Sequence, residues 1–511
     1  MPGTPRVAGT ASDRAFFGHP RGLVGLFFTE AWERFSYYGM RALLLYYMYD
    51  QVANGGLGIP DDTAKSLVAV YGSATYMAAI LGGWVSDRLL GDRRATLVGG
   101  VLIMVGHICL ALPAGAGALF ASMVFIAGGT GLLKPTISAS VGDLYAPNDP
   151  RRDSGFSIYY MGISVGAVAA PLVVGTVGQT YDYHLGFGIA AVGMALGLAV
   201  YLWTQRHLSE AGSRPKNPLR LSEVSRSRAS LVGLGVACLV AVVAVSAVTG
   251  LLSIGATVNL ISVLAMALPV VYFTVMLRSK RTTAAERARL RGYIPLFVAA
   301  VFFWVIQEQG ATVIAQYADE STDLDAFGFT IPASWFQSVG SFVLIVLTPL
   351  FALLWLRLDR SPRAPSTAHK FGFALAIAGV SYLVLVLPAS QGGLSSPLWL
   401  VGSLALVTIG EMCLSPIGLS ATTRLAPAAF ATQTMGLWLT AGAAGQGIAA
   451  QLVKFYEPDS AGTYFGAVGA GTVVLGLVLF ALSPLLRRQT EAADSLVDHH
   501  EDALDVTGVH R

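Results

Sequence analysis

A short segment near the start of the chain combines acids, bases and tyrosines at spacings that could bind and release charged groups. Residues 30–41 read EAWERFSYYGMR. On a helix, positions separated by four, seven and eleven residues share one stripe, which here carries Glu30, Arg34, Tyr37 and Arg41, flanked by Glu33 and Tyr38. Protonation of one glutamate would release an arginine, which could then bind an anionic ligand group in a bidentate manner.

The composition places this segment in a membrane. Of the 511 residues, 54% are apolar and only 12% are charged, with a mean hydropathy of +0.61. Soluble domains have about a quarter of their residues charged, so a water-soluble globular enzyme is excluded. The net charge of +3 gives no reason to expect a nucleic-acid partner. The sequence predicts an all-α polytopic membrane protein surrounded by lipid, with no obligate protein partner in evidence.

A helix needs about 20 residues to cross a bilayer, and apolar runs of that length recur along the chain. With Gly, Pro and charged residues as boundaries, the sequence predicts fourteen spans: 22–50, 63–89, 95–113, 117–141, 154–178, 185–205, 229–249, 252–277, 292–317, 329–357, 370–388, 396–423, 430–453 and 462–486.

The basic residues predict the orientation of the spans. Loops 206–228 and 278–291 are rich in Lys and Arg, whereas loop 319–325 is acidic. The positive-inside rule then places both termini in the cytoplasm, and the multi-pass chain in the cell's inner (plasma) membrane.

Seven charged side chains fall well inside predicted spans. A charge at the bilayer centre costs about 2.5–3.5 kcal/mol on insertion scales, so such residues are expected to face a protein interior or a wet cavity. The seven are Glu30, Glu33, Arg34, Arg41, Lys134, Glu308 and Glu411.

Glu30 to Gly39, with the pattern ExxERFxYYG, resembles the first-helix signature of the proton-coupled oligopeptide transporter family, within the major facilitator superfamily. Further segments are similar to motifs of that family in the same order: GGWVSDRLLGDRR (82–94), GTGLLKPTISASVGDLY (129–145), FSIYYMGISVGA (156–167), FFWVIQEQG (302–310), GEMCLSPIGLS (410–420) and TQTMGLWLT (432–440).

The resemblance implies a major facilitator fold, with two six-helix bundles around a central cavity and two additional helices between them. The expected divisions are a cytoplasmic tail 1–21, an N-terminal bundle 22–205, linkers with the two extra helices 206–291, a C-terminal bundle 292–486 and a cytoplasmic tail 487–511.

The resemblance also implies proton-coupled symport of di- and tripeptides, with protons as coupling ions and no cofactor. Arg34 and Lys134 would bind the peptide carboxylate, and Glu411 the amino group. Glu30 and Glu33 would respond to protons, and Arg34 and Glu308 would also take part in proton coupling. Two salt bridges would act as gates, one between Arg41 and Glu308 and one between Lys134 and Glu411. The remaining residues expected to contact substrate are Tyr37, Tyr38, Arg41, Tyr76, Ser164, Trp304, Glu308, Ser415 and Trp438.

The loop between the second and third spans has an expected role in conformational change, carried by Asp87, Arg88, Gly91, Arg93 and Arg94. Four positions depart from the family pattern. Ser164 and Gly340 stand where many relatives have asparagine, and those amides would help Glu411 to hold a peptide amino group. Thr136 and Gln446 also replace asparagines of the family. Weaker, water-mediated or altered peptide preference is therefore expected.

Other functions stay open on the sequence. The same fold could carry nitrate, an amino-acid conjugate or a peptide-like drug. Retention of both Arg34 and Glu411, which suit opposite ends of one ligand, favours peptides. A polytopic membrane enzyme is disfavoured because the sequence has no metal-ligand spacing, no nucleophile with a base and no phosphate loop. A sensor without transport activity is a further alternative.

Overall fold

The computed structural model describes residues 17–146, 149, 151–208, 210–215, 218, 253–326, 328–359 and 365–506. In this part of the chain the fold is helical, apart from one two-residue β-hairpin. Contacts divide the chain into two compact units. Unit 1 comprises residues 1–261 and 324–342, and unit 2 comprises residues 262–323 and 343–511.

Unit 1 is built on long helices of 19 to 29 residues. The long helices are α1 (Arg21–Tyr49), α2 (Asp61–Val85), α3 (Asp92–Ala111), α4 (Gly115–Gly142), α5 (Arg152–Ala170) and α7 (Tyr183–Thr204), and the five-residue α6 (Thr176–Thr180) precedes α7. One π-helical turn, Ser86–Leu90, follows α2, and another, Pro171–Gly175, joins α5 to α6. The hairpin pairs β1 (Asp325–Ala326) with β2 (Phe329–Thr330) in antiparallel register.

Helix α1 lies in the interior of unit 1. It packs against α5 and α7, while α4 packs against α2 and α3. Close approach of α3 to α4 depends on Gly99 and Gly129, since a Cβ atom on either glycine would lie 2.6 or 2.5 Å from the carbonyl oxygen of the other. Small residues allow such backbone contact between membrane helices. This contact fixes α4 in the part of the unit that carries Lys134.

Unit 2 contains the remaining helices. They are α8 (Ile254–Arg278, which begins in unit 1), α9 (Ala284–Glu308), α10 (Val313–Glu320), α11 (Phe336–Asp359, likewise begun in unit 1), α12 (Thr367–Ser390), α13 (Pro397–Leu425), α14 (Ala431–Leu452) and α15 (Ala461–Val506). Helix α9 begins with a capping box, in which the Thr283 side chain accepts from the Glu286 amide and the Glu286 carboxylate accepts from the Thr283 amide. Helix α12 packs against α13 and α15, and α9 packs against α14.

Short 3₁₀ turns connect the helices. Within the described residues they are Val52–Asn54, Gln205–His207, Glu210–Ser213, Gln309–Ala311, Ala333–Trp335, Ala428–Phe430, Val453–Phe455 and Pro458–Ser460.

The fold confirms an all-α polytopic membrane protein. Eleven helices in the described residues are long and apolar enough to cross a membrane. Helices α1 and α14 match two further predicted spans, so thirteen of the fourteen spans have a helix. The other predicted span, 229–249, lies outside the described residues.

Two predicted boundaries were wrong. The span predicted at 292–317 is a helix from Ala284 that breaks at Gln309–Ala311 and resumes as α10, because the backbone of Thr312 leaves the helical region with φ −128° and ψ −93°. The span predicted to begin at 329 starts only after the hairpin. Gly328 turns there with φ +83°, and Pro332 precedes the first helical turn.

Candidate functional site

The first part of the site is an acid–base cluster on α1, formed by Glu30, Glu33 and Arg34. All three side chains are at most 5% exposed, and the Arg34 Nε atom lies 2.8 Å from Glu30 Oε1 and 2.8 Å from Glu33 Oε2. Glu30 Oε2 and Glu33 Oε1 are buried without a hydrogen-bond partner among the described residues. Two buried carboxylates thus compete for one guanidinium group, and proton occupancy can decide which of them holds it.

Lys134 belongs to the same unit and projects from α4. Its Nζ atom lies 4.8 Å from the centre of the Tyr76 ring on α2, a cation–π distance. Electrostatic interaction also links Lys134 to Glu33. The Thr96 and Thr136 hydroxyls, 2.8 Å apart, join α3 to α4 two residues beyond Lys134. The structure therefore places the two predicted carboxylate-binding bases, Arg34 and Lys134, beside the same glutamate.

Tyrosines surround the cluster. The Tyr37 ring lies 5.8 Å from the Arg34 guanidinium carbon and stacks edge-to-face on Tyr38 at 5.5 Å. Tyr71 on α2 is buried within electrostatic range of Tyr37, Arg41 and Glu33. Tyr37 is itself buried, whereas Tyr38, Tyr76 and Arg41 are half-buried.

The second part of the site is an acid–amide pair in unit 2, formed by Gln307 and Glu411. The Gln307 Nε2 atom on α9 donates to Glu411 Oε2 on α13 at 3.0 Å. Glu308, which follows Gln307, is 7% exposed and interacts electrostatically with Glu411. Within the described residues of unit 2, no basic side chain pairs with Glu411. Its carboxylate is therefore oriented by a neutral amide within the described part of unit 2.

The two predicted tryptophans occupy different environments. Trp304 on α9 is half-buried, and α14 approaches it so closely that a Cβ atom on Gly445 would lie 2.7 Å from the Trp304 Cβ. Trp438 is buried, with its indole over Gly418 and an edge-to-face contact to Phe371 at 6.4 Å. Packing thus accounts for much of the Trp438 surface, and its contact with substrate stays a prediction.

The smaller predicted residues are also accounted for. The Ser164 hydroxyl donates to the carbonyl oxygen of Tyr160 in its own helix at 3.3 Å. Gly340 is half-buried near the start of α11. The Ser415 Oγ atom is buried without a hydrogen-bond partner among the described residues, so it could serve a ligand. The two predicted gating salt bridges would join unit 1 to unit 2, and both stay predictions.

The loop at 82–94, which has a predicted role in conformational change, is stabilised by contacts that include residues outside the predicted set. Gly91 turns the chain with φ +77°, and the Arg93 guanidinium donates to the Leu208 carbonyl oxygen. Asp92, which sequence reasoning passed over, accepts from the Ser86 hydroxyl at 2.8 Å. Asp87 and Arg94 are exposed, and Arg88 is half-buried.

Sequence reasoning also missed three neutral residues near the charges: Gln307, Ser138 and Tyr159. Gln307 orients Glu411, and the Ser138 and Tyr159 hydroxyls lie 3.3 Å apart between α4 and α5. A signal was available for Gln307, which immediately precedes an interior glutamate. For Ser138, the signal was its position one helical turn after Lys134.

Opposite charges in the interior of membrane-spanning helices are typical of membrane transporters. Comparison with known proteins gives the family. The sequence profile of the POT family matches residues 93–468, which is most of the chain. The protein belongs to the POT family and is a transporter, not an enzyme.

Individual relatives agree with this assignment. The chain is 51% identical to a Bacillus subtilis protein described as an uncharacterized transporter, over 93% of this chain and 96% of that one. It is 41% identical to the di-/tripeptide transporter of Lactococcus lactis subsp. cremoris, over 93% and 98%. A crystal structure of a POT peptide transporter in complex with sulfate superposes with a TM-score of 0.89, at 50% identity, over 95% of this chain and 98% of that one.

Proposed function

We propose that the protein is a proton-coupled symporter that carries di- and tripeptides across the inner (plasma) membrane by alternating access, with both termini in the cytoplasm. Protons are the coupling ions, and no cofactor takes part. The observation that carries the proposal is that the charged side chains of the two units have different partners. Arg34 is already paired with carboxylates, whereas Glu411 is held by an amide.

In this proposal Arg34 and Lys134 bind the peptide carboxylate. Because Arg34 is paired with Glu30 and Glu33, it becomes available only when proton uptake weakens those pairs. Glu411, held by the Gln307 amide, binds the peptide ammonium group. Proton uptake in the acid–base cluster thus controls binding of the carboxylate end of the peptide.

The energetics suffice for accumulation. One pH unit supplies about 1.4 kcal/mol per proton, and 100 mV adds about 2.3 kcal/mol per charge. Together they correspond to a concentration ratio of roughly several hundred for a zwitterionic peptide moved with one proton.

The test is uptake of labelled dialanine and trialanine into liposomes that contain the purified protein, with the outside more acidic than the inside. We expect accumulation that collapses when the pH gradient and potential are dissipated. Nitrate and free alanine should not compete with the peptides. Absence of gradient-driven peptide uptake, or inhibition of peptide uptake by nitrate, would contradict the proposal.

Glu33→Gln should uncouple peptide transport from proton transport. The variant removes the ionisable group but keeps its shape, so we expect loss of gradient-driven accumulation with retention of peptide exchange across the membrane. Asp62→Asn, an exposed acid at the start of α2, is the matched control and should behave as wild type. Full retention of accumulation in Glu33→Gln would remove Glu33 from the coupling role.

A further inference from the structure

An aromatic hydroxyl on α5 lies beside the acid–base cluster and has no role in the proposed function. Tyr159 is 2% exposed, and its hydroxyl is 3.3 Å from the Ser138 Oγ atom on α4. The Ser138 hydroxyl donates its single proton to the Lys134 carbonyl oxygen, also at 3.3 Å. In the contact between the two hydroxyls, Tyr159 must therefore be the donor and Ser138 the acceptor.

The same tyrosine hydroxyl is within hydrogen-bonding reach of the Glu30 carboxyl and within electrostatic range of Arg34. Glu30 uses Oε1 for Arg34, while its Oε2 is buried without a hydrogen-bond partner among the described residues. The single proton of Tyr159 thus has two acceptors to choose from, Ser138 Oγ and Glu30 Oε2. In this structure the measured hydroxyl contact of Tyr159 is with Ser138, at 3.3 Å.

The position of Tyr159 is fixed by the backbone. Gly162 and Gly166 lie three and seven residues further along the same face of α5. A Cβ atom on Gly162 would lie 2.9 Å from the Phe27 carbonyl oxygen, and one on Gly166 would overlap the Ala31 carbonyl group. Since both contacts are with α1 on either side of Glu30, α5 holds the tyrosine against the cluster.

The environment contributes several other charged or titratable groups. Those that act on the acid–base cluster from the packed helices are Tyr38 on α1, Tyr71 on α2, Lys134 on α4 and Tyr160 on α5. Helix α7 presents the uncharged Met194 and Gly197 at this level. Tyr159 combines a hydrogen bond with the neutral Ser138 on α4 with a position within reach of Glu30.

We propose that Tyr159 is a positioning residue for proton coupling, which exchanges its hydrogen bond between Ser138 and Glu30. While Arg34 holds Glu30, the tyrosine donates to Ser138. When Arg34 moves to the peptide carboxylate, Tyr159 donates to Glu30 Oε2 and stabilises the ionised carboxylate. Tyr159 thereby affects the pH dependence of peptide uptake. This inference rests on the proposed function.

The test compares the pH dependence of peptide uptake in liposomes for three variants of the full-length protein. Tyr159→Phe removes a donor to the ionised carboxylate, so the half-maximal pH of gradient-driven uptake should rise by about one unit. Ser138→Ala removes the competing acceptor, so the Tyr159 hydroxyl donates to Glu30 alone. The half-maximal pH of uptake should therefore fall. The double variant should behave like Tyr159→Phe, because Ser138 acts only through the tyrosine.

A control and a second readout separate the possible failures. Tyr183→Phe removes a comparable hydroxyl in unit 1, one that donates to Asp50 at 2.9 Å, and should leave the pH profile unchanged. Peptide exchange at a fixed pH, with equal solutions on both sides, should retain its KM in all variants.

An unchanged profile in Tyr159→Phe, or shifts of the same sign in both single variants, would overturn the inference while wild-type uptake still supports the proposed function. If Tyr159→Phe does not fold, an unchanged profile in Ser138→Ala overturns it. Absence of gradient-driven uptake in the wild type would instead reject the proposed function, and this inference with it.

Discussion

The acid–base cluster of unit 1 and the acid–amide pair of unit 2 hold the carboxylates of membrane-spanning helices in different ways. In the cluster, Glu30 and Glu33 share Arg34 at 2.8 Å each. In the pair, Glu411 accepts one hydrogen bond from the Gln307 amide at 3.0 Å. In the first arrangement a cation faces the carboxylates, whereas in the second a neutral amide does.

This difference bears on how each part can act on a ligand. A buried ion pair must be broken before either partner can bind something else, and breaking it leaves an uncompensated charge unless a proton replaces the lost partner. A carboxylate held by a neutral amide keeps its attraction for a cation. In the proposed function, the peptide carboxylate therefore binds in unit 1 only when proton uptake weakens these ion pairs.

The largest expected effect comes from Lys134, the base beside the cluster. Lys134→Ala should abolish peptide uptake, with a decrease of about 100-fold or more, because it removes a charge-assisted bond to the peptide carboxylate from a buried environment. The measurement is initial uptake in liposomes. Lys454→Ala, a lysine that bonds Gln451 near the end of α14, is the control. Unchanged uptake in Lys134→Ala would refute its placement at the carboxylate.

A smaller effect is expected in unit 2. Glu411→Gln removes the charge, so the KM for dialanine should rise about 10- to 100-fold, the range expected for a hydrogen bond to a charged group. Inhibition of uptake by dialanine is compared with inhibition by its N-acetylated form, which lacks the charged amino group. The comparison shows whether recognition of the amino group is affected. Wild type should prefer dialanine, and Glu411→Gln should lose that preference.

The Gln307→Leu variant refines this test, since it removes the amide but keeps the Glu411 charge. We expect only about a fivefold rise in KM, and the preference for a free amino group should persist. Equal loss of preference in both variants would mean that the amide, and not the charge, recognises the amino group.

The smallest expected effect concerns His19, at the edge of unit 1 before α1. Burial and the nearby Arg151 lower the pKa of His19 below its usual value of 6.5. The unfolded chain therefore takes up a proton as the pH falls below about 6.5 while the folded protein does not, so the fold loses stability over that range.

His19 thus gives a way to separate pH effects on stability from pH effects on transport. His19→Gln should remove a small part, about 1 °C, of the decrease in Tm between pH 7.5 and 5.5 in detergent. The pH profile of uptake should be unchanged, since the predicted coupling groups are Glu30 and Glu33. A shifted uptake profile would show that pH sensing extends beyond the acid–base cluster.

Much of the architecture was predictable because a helix that crosses lipid must consist of a long run of apolar residues. Charges such as Glu33 and Lys134 stood out because an ionised group in an apolar run is costly. The break at Gln309–Ala311 was not predictable, because apolar residues continue on both sides of it and hydropathy does not detect backbone direction.

The sequence by itself determined that the chain spans a membrane, which charges its interior must hold, and to which family of transporters its motifs are similar. Only the tertiary structure decided how those charges are held, with Arg34 between two glutamates, Glu411 on the Gln307 amide, and Tyr159 on Ser138. The physical reason is that neutral side chains such as Gln307 and Tyr159 cost little in an apolar run, so composition does not mark them. Their importance comes from distances between helices that are remote in sequence.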